Sequence, residues 1–286
     1  MPDRDLIAPV LLFAAMRMPP AGTLRGYSLP LSPSGVSSMV PDPPWYFSGD
    51  ALWVTCRVRA EAAAAFLPTG LRPGPDPGAA AIAFFDWQWC GESGAELREP
   101  VRAQFRECMI ALDCLLGDQP VARVPYAWVD SAVPLVRGFI QGMPKMFGSV
   151  WLTRSFPVGR AAPRREPGGE FTGAVSADGH RTISATVTLA EAVGQPPPLA
   201  AQPLVQTRHL PAWDPDGAPL EELVMAATSD ARFAEIWRGT TSLAFHDVTD
   251  PDLATLEPVE VGPGYLFSYA ETLAPGRRVG PRSVRA

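Results

Sequence analysis

The chain has 286 residues, of which 47% are hydrophobic and 19% are charged, which is enough apolar sequence for a substantial core and excludes an intrinsically disordered protein. The net charge of −6 and the pI near 5.2 disfavour nucleic acid and membrane surfaces as partners, because both are anionic. With 33 prolines and 25 glycines, the composition favours a turn-rich β fold.

The cysteines and histidines argue against disulfides and metals. Cys56, Cys90, Cys108 and Cys114 show no CxxC spacing, which predicts buried free thiols in a reducing compartment and hence a cytoplasmic protein. The three histidines lie far apart in sequence, so no metal site is expected. An apolar stretch at residues 6–16 lacks the flanks of a signal peptide and is too short to span a bilayer, so we expect it to pack on the body or on a partner.

The hydrophobic periodicity predicts one α+β domain, mostly antiparallel β, at 45–286, preceded by an irregular N-terminal arm at 1–44. The first half of the domain is predicted to contain a strand around Leu52–Val58, a helix over Ala60–Leu67, strands over Ala79–Cys90, Gln104–Leu116 and Val121–Val129, and a helix from the N-cap Asp130 to about Ile140. A strand over Gly148–Arg154 and a hairpin of Phe171–Ser176 and Thr182–Ala190 around Asp178-Gly179 follow. The remaining predictions are a strand over Leu204–Leu210, a helix or strand near Leu220–Ala227, and strands over Thr240–Val248 and Tyr265–Leu273.

Two of these strands carry a carboxylate within an apolar run. Asp86 lies in the middle of the Ala79–Cys90 strand, and Glu107 lies in the Gln104–Leu116 strand. Such a carboxylate either faces solvent or lies in a cavity where partners stabilise it, because an unpaired buried charge is costly. Both interpretations are open for each acid.

Lys145 is the single lysine among 24 basic residues. An arginine stays protonated at ordinary pH, whereas a desolvated lysine amine can lose its proton and attack a carbonyl group. The neighbours Met143, Met146 and Phe147 are apolar and no acid lies nearby in sequence, so burial would lower the pKa of the amine. Lys145 is therefore a candidate Schiff-base nucleophile, and an ordinary exposed lysine on a turn is the alternative.

Three short motifs carry a family resemblance that supports the first interpretation. They are Phe105-Arg106-Glu107, Pro144-Lys145-Met146-Phe147-Gly148, and Trp237-Arg238-Gly239 followed by Leu243-Ala244-Phe245. Together they resemble the acetoacetate decarboxylase-like superfamily over about residues 44–275. The resemblance implies a β-rich, cone-like or barrel-like fold, a lysine in a mostly apolar cavity, a covalent lysine imine with no separate cofactor, and a homo-oligomer.

Two departures from the true decarboxylases bear on the activity that the resemblance implies. In those enzymes a second lysine follows the catalytic one and lowers its pKa by like-charge repulsion, whereas this chain has Met146 there. They also carry an arginine ahead of the first long strand, and Ser48-Gly49-Asp50-Ala51 has none. We therefore expect no second charge beside Lys145 and no guanidinium for a substrate carboxylate, which argues against acetoacetate decarboxylation.

The aldolase-dehydratase and cyclase branch of the superfamily resembles the chain better, through Gln141 four residues before Lys145 and through Gly264-Tyr265. This resemblance implies that Lys145 forms an iminium with a ketone or a 2-oxo acid and that Glu107 moves protons. Tyr265 would donate to a leaving hydroxyl or an aldehyde oxygen, and Gln141 would hold the substrate carboxylate or orient the iminium. A packed aromatic and a helix cap are the plain alternatives for these last two residues.

Further residues complete the candidate site. Asp86 falls where the family often has a second acid, which implies a supporting electrostatic role, and Met143 and Met146 are expected to line the substrate pocket. Tyr269 and Glu271 share the strand side of Tyr265, which makes Glu271 an alternative acid.

Three functions follow from these residues. We predict a Schiff-base-forming lyase of specialised metabolism that condenses or dehydrates small oxo acids such as pyruvate. The alternatives are a β-keto acid decarboxylase and a non-catalytic binder of a carbonyl or apolar ligand. A lowered pKa of the Lys145 amine favours the lyase, and an ordinary one favours the binder.

Overall fold

The computed structural model describes residues 22–246 and 248–280. Contacts divide the chain into two compact units, Met1–Asp42 and Pro43–Ala286. Residues 22–42 of the first unit are irregular, with an isolated bridge between Arg25 and Ser32. The apolar stretch at residues 6–16 lies outside the described residues.

The second unit contains twelve strands and four short α-helices within its described residues. The strands are β1 (Trp45–Arg57), β2 (Leu71–Pro73), β3 (Ala79–Gly91), β4 (Gln104–Leu116), β5 (Gln119–Val129), β6 (Lys145–Phe147), β7 (Ser149–Leu152), β8 (Glu170–Ala177), β9 (His180–Ala192), β10 (Val205–Leu210), β11 (Leu220–Phe245) and β12 (Glu260–Arg278). The helices are α1 (Ala60–Ala65), α2 (Pro100–Ala103), α3 (Ala132–Gln141) and α4 (Pro251–Thr255), and single 3₁₀ turns lie at Ala95–Arg98 and Pro198–Ala201.

The strands form one mixed but mainly antiparallel sheet, so the predicted α+β class with mostly antiparallel strands is confirmed. Its strand order is β6-β5-β4-β3-β1-β12-β11-β9-β8-β7, with β2 added beside β4 and β10 added beside β11. The β5–β6 pair is parallel, and the other named pairs are antiparallel. The sheet is not closed, and β6 and β7 stand at the two ends of its strand order.

The two faces of the sheet have different roles, because side chains alternate between them along each strand. Leu52, Ile82 and Phe84 on one face belong to the main hydrophobic core, which β7, β8 and β9 complete from the other half of the sheet. On the opposite face, Phe85 of β3 is aligned with Glu107 of β4. That second face carries the candidate site.

Several elements differ from their predictions. The segments Leu220–Ala227 and Thr240–Val248 lie mainly within one 26-residue strand, β11, which is interrupted by bulges. The strand predicted for Gly148–Arg154 is shorter, Ser149–Leu152, and a separate strand, β6, precedes it. The hairpin around Asp178-Gly179 is confirmed, and both residues have the positive φ angles, 50° and 82°, that a tight hairpin turn requires.

Asp130 has a different role from the predicted one. Helix α3 begins at Ala132 with Ser131 as its N-cap. The Asp130 carboxylate instead accepts a hydrogen bond of 2.7 Å from the backbone N–H of Arg106. It therefore fixes the backbone immediately before Glu107.

Three further expectations concern the membrane, the thiols and metals. None of the described helices is long and apolar enough to cross a bilayer. All four cysteines are free thiols, three of them buried and Cys90 half-buried. Across residues 22–246 and 248–280, no cluster of His, Cys, Asp and Glu side chains has the arrangement of a metal site.

Candidate active site

Lys145 is the first residue of β6, opposite Ala127 of β5. Its Nζ atom lies 3.0 Å from Oε1 of Glu107 on β4, and the two side chains are only 6% and 8% exposed. Neither residue is therefore a solvent-facing charge. The fold joins the unique lysine to one of the two strand carboxylates as a buried pair.

Helix α3 leaves room for the lysine side chain at Gly138. A Cβ atom at this position would lie 2.9 Å from Cγ of Lys145 and 3.0 Å from its Cβ and Cδ atoms. The chain then reverses through two backbone hydrogen bonds, Met143 N–H to Gly138 C=O and Lys145 N–H to Met143 C=O. Glycine thus permits a close approach that holds the lysine stem against the helix.

Arg137, the residue before Gly138, is a buried cation with 1% exposure. Its guanidinium carbon lies 4.0 Å from the ring centre of Trp89, 5.0 Å from that of Phe47 and 5.1 Å from that of Trp45. None of its three guanidinium nitrogens has a hydrogen-bond partner among the described residues. Burial lowers the pKa of Arg137 to about 9, which still leaves the group charged at neutral pH. Unpaired donors of this kind suit a planar anion such as a carboxylate.

Arg137 overturns the expectation that Lys145 has no second charge beside it and that no guanidinium is available for a carboxylate. Its positive charge lowers the pKa of Lys145. The sequence held a weak signal for it, because Arg137 and Gln141 are four residues apart and face the same side of α3. This guanidinium lies on helix α3 and not ahead of the first strand.

The pKa of the Lys145 amine is lowered, with burial as the largest cause and Arg137 as a further one. Glu107 opposes the shift by its charge and by its hydrogen bond, and Glu271 opposes it by its charge. The net direction favours the neutral amine, which is the nucleophilic form.

Glu271 on β12, which is half-buried, provides a second acid. Tyr269 donates a hydrogen bond of 2.8 Å from its hydroxyl to Oε2 of Glu271. Burial raises the pKa of Glu271, and the charge of Glu107 raises it further, whereas the bond from Tyr269 opposes the shift. Glu271 and Glu107 are thus coupled to each other and to Lys145. Sequence reasoning reached Glu271 through its strand parity with Tyr265.

Comparison with known proteins places the chain in a family. The family model described as acetoacetate decarboxylase matches residues 28–281. The chain belongs to the acetoacetate decarboxylase family. Enzymes of this family use a covalent lysine Schiff base without an external cofactor, and membership makes the chain an enzyme.

Three solved structures are similar to this chain over most of its length. The enduracididine biosynthesis enzyme MppR, complexed with the condensation product of pyruvate and imidazole 4-carboxaldehyde, is 49% identical, with a TM-score of 0.88 over 92% of this chain and 99% of that one. An acetoacetate decarboxylase-like enzyme from Sphingomonas wittichii RW1 is 27% identical, with a TM-score of 0.82 over 90% and 99%. Acetoacetate decarboxylase from Legionella pneumophila, at 16% identity and a TM-score of 0.71 over 92% and 98%, shares the fold. No curated protein sequence matches the chain significantly.

Two of the predicted pocket residues lie at the end of α3, close in sequence to Lys145. Gln141 is half-buried in the last turn, one turn beyond Arg137, and Met143 is 9% exposed just after the helix. Met146 and Phe147, in contrast, are 39% and 63% exposed and do not wrap the lysine. An aromatic ring provides the apolar contact instead, since Nζ of Lys145 lies 5.6 Å from the ring centre of Phe105.

The structure does not bring Asp86 to the lysine. Asp86 is aligned with Arg106, so it points to the face opposite Glu107. Its carboxylate lies 2.7 Å from Nε of Arg154 and 3.8 Å from Nε of Arg106. The supporting electrostatic role expected for Asp86 beside the lysine is therefore not seen.

Tyr265 also lies away from the acids of the site. It is half-buried, with Trp53 and Arg238 as its cross-strand neighbours. It precedes Glu271 by six positions on the same strand, which corresponds to roughly 20 Å. Tyr269 is the tyrosine that contacts Glu271, and a role for Tyr265 in proton donation stays a prediction.

Proposed function

We propose that this enzyme condenses pyruvate, or another small 2-oxo acid, with an aldehyde through a Schiff base on Lys145 and then dehydrates the product. One arrangement carries the proposal: a buried lysine with a lowered pKa pairs with a carboxylate and is influenced by the charge of an arginine whose donors are unpaired. The ligands of the 49% identical MppR, which are pyruvate in one structure and its condensation product with an aldehyde in another, support the same substrate class.

The first step uses Arg137, Lys145 and Glu107. The guanidinium of Arg137 binds the carboxylate of the oxo acid, because its three nitrogens have no competing partner. The neutral Lys145 amine attacks the ketone carbon, and the carbonyl oxygen takes up protons and leaves as water. Glu107, at 3.0 Å, accepts one amine proton and returns it to the oxygen, and Glu271 in its protonated form supplies the second proton that the departing water needs. The product is an iminium that draws electrons from the adjacent methyl group.

The second step forms the new carbon–carbon bond. Glu107 or Glu271 removes a proton from the methyl carbon, and the resulting enamine attacks the aldehyde carbon, whose oxygen takes up a proton. Loss of a second proton from the same carbon and departure of the hydroxyl as water give the unsaturated iminium. A raised pKa suits Glu271 to the donor role, since it holds a proton at higher pH than an ordinary glutamate does. Water then releases the product and restores the Lys145 amine.

Borohydride trapping tests the proposal directly. Wild-type enzyme incubated with pyruvate and borohydride should carry the reduced pyruvate adduct on the Lys145 peptide, as seen by mass spectrometry. Lys145→Arg keeps the charge but has no nucleophilic amine, so it should lose both the adduct and turnover. An adduct-free wild-type enzyme, or a Lys145→Arg variant with retained turnover, would refute the proposed imine.

Arg137 also gives a specific reason to keep β-keto acid decarboxylation as a second candidate. Its guanidinium supplies the carboxylate partner that the sequence lacked ahead of β1, and its charge depresses the amine pKa as a second lysine would. Release of carbon dioxide from a panel of β-keto acids, with no condensation of pyruvate and aldehydes, would favour this candidate. The binder of a carbonyl ligand is disfavoured by the lowered pKa of Lys145.

A further inference from the structure

We infer that a wall of three aromatic side chains, Trp87, Tyr269 and Phe233, is the subsite for the second substrate and that this substrate is an aldehyde bearing a flat unsaturated ring. This inference rests on the proposed function, because it names the class of the acceptor in that condensation. The three rings come from β3, β12 and β11, and the middle one bonds to Glu271.

The first observation is that Trp87 reaches Tyr269 across an intervening strand. Gly49 of β1 is paired with Trp87 on one side and with Tyr269 on the other. Strands two apart in a sheet are about 10 Å from each other, yet the two ring centres are 5.8 Å apart. A Cβ atom at Gly49 would lie 2.8 Å from Cε3 of Trp87. The glycine therefore allows the rings to form one continuous surface.

The second observation is that β11 is distorted on both sides of Phe233. The register with β12 shifts between Ser229 and Arg232 and again between Ala234 and Trp237. Asp230 and Glu235 have φ angles of 52° and 50°, which non-glycine residues rarely adopt. Bulges of this kind re-aim side chains beside active sites. Here the two bulges lie on either side of Phe233, whose ring contacts Tyr269.

Phe233 therefore makes a close contact with Tyr269 at the β11 end of the wall. The ring centres of Phe233 and Tyr269 are 4.7 Å apart at 35°, and Phe233 also lies 5.5 Å from Phe267. Phe233 and Tyr269 are both only half-buried, so part of each ring remains free for a ligand. At the other end of the wall, Phe85 stacks on Trp87 with 4.8 Å between the ring centres, and it is aligned with Glu107 of the neighbouring strand β4.

Arg165 holds the distorted segment in place. It lies 2.7 Å from a carboxylate oxygen of Glu235 and 2.6 Å from one of Asp50, and it donates to the hydroxyl of Ser268. The guanidinium is 16% exposed, whereas the Glu235 carboxylate is 66% exposed. One arginine thus ties the second bulge of β11 to β1 and β12, and it is a positioning residue for Phe233.

The wall predicts the chemistry of the acceptor. An aldehyde placed next to Glu271 would lay its substituent against Tyr269 and Phe233. A flat ring gains ring–ring contact energy there beyond simple burial, and a short alkyl chain does not. The enzyme should therefore have a higher kcat/KM for aromatic or heteroaromatic aldehydes than for aliphatic aldehydes of similar reactivity.

A ratio of rates tests this inference. With pyruvate as the first substrate, kcat/KM is measured for benzaldehyde and for propanal in the wild type, Phe233→Ala, Phe233→Tyr and the control Trp213→Ala, whose side chain is fully exposed. Phe233→Ala should lower the benzaldehyde-to-propanal ratio by roughly two- to tenfold. Phe233→Tyr and Trp213→Ala should keep the wild-type ratio.

The outcomes separate this inference from the function beneath it. An unchanged ratio in Phe233→Ala, or a wild type that traps pyruvate on Lys145 but does not convert benzaldehyde, would overturn the aromatic subsite and leave the imine intact. A wild type that traps no pyruvate would count against the proposed function itself. The ratio of the two kcat/KM values does not depend on how much of the enzyme is folded. A Phe233→Ala variant that loses activity toward both aldehydes equally would therefore also count against the subsite.

Discussion

Nζ of Lys145 lies 3.0 Å from Oε1 of Glu107, and both side chains are more than nine-tenths buried. The surroundings act on the Lys145 ammonium in opposite directions. Burial and the charge of Arg137 destabilise it, whereas Glu107 stabilises it. Opposing neighbours therefore set the pKa of the lysine, and a change in any one of them should alter its reactivity.

Removing the charge of Glu107 should make the amine still easier to deprotonate. Glu107 raises the pKa of Lys145 by charge and by hydrogen bond, so Glu107→Gln should move the onset of pyruvate trapping to lower pH. Turnover should nevertheless fall by about 10²- to 10⁴-fold, because the proton carrier is lost. The pH dependence of the borohydride-trapped adduct reports the first effect, with the exposed Glu61→Gln as the matched control. An onset displaced to higher pH would contradict the coupling.

Arg137 should show opposite effects on activity and on stability. Its donors are unpaired in the free enzyme, and its lowered pKa means that folding disfavours the charged form. Arg137→Met should therefore raise the melting temperature, while KM for pyruvate rises by roughly 10- to 100-fold through loss of a charged hydrogen bond. Thermal unfolding and steady-state kinetics check the two halves. A lower melting temperature would show that the three aromatic rings outweigh the cost of burying the charge.

The same residues show how far sequence alone could reach. Lys145 was identifiable because it is unique, and Glu107 because it interrupts an apolar strand. Arg137 was not, since it is one of 23 arginines and its burial depends on rings from β1 and β3 that no local pattern reveals. Asp86 was misplaced for a related reason: the β3–β4 register aligns it with Arg106, and one residue of register decides the face.

The longest strand illustrates the same limit in the fold. The apolar segments at either end of β11 were visible, but the residues between them are mostly exposed and polar, so they resembled a connection. Pairing with β12, with two bulges, keeps the chain extended through this region. Since bulges depend on the partner strand, the placement of Phe233 could not be predicted from periodicity.

Gly138 offers a test in which helix propensity and activity should diverge. Alanine is favoured over glycine within a helix by about 1 kcal/mol, so Gly138→Ala should fold as well as the wild type. The new Cβ atom, however, would lie 2.9 Å from Cγ of Lys145 and displace the amine. We expect kcat to fall by about 10- to 100-fold with an unchanged melting temperature. Gly194→Ala, which meets open space, is the control, and full activity in Gly138→Ala would show that the lysine stem has room to move.

Asp86→Asn should have little effect on catalysis. Its carboxylate accepts a hydrogen bond from Arg154 and lies 3.8 Å from Nε of Arg106 on the face opposite Glu107, and Arg154 is half exposed, so the ion pair with Arg154 contributes less than about 1 kcal/mol to stability. KM for pyruvate and the pH profile should stay within about twofold of the wild type, as expected when no transition-state contact is removed. A loss approaching that of Glu107→Gln would place Asp86 in the catalytic network after all.

Tyr269 should set the working pH of Glu271. Burial raises the pKa of this carboxyl and the hydrogen bond from Tyr269 holds it down, so Tyr269→Phe should raise it further. Glu271 would then keep its proton to higher pH, and the limb of the kcat/KM profile that reports its ionisation should move in the same direction. Tyr126→Phe removes an equivalent bond, from Tyr126 to Asp250, and should leave that limb in place. Steady-state rates of the pyruvate–aldehyde condensation across pH distinguish the two variants. A limb that moves to lower pH in Tyr269→Phe would mean that the tyrosine does not stabilise the carboxylate, and Glu271 would lose its assignment as a proton donor tuned by this bond.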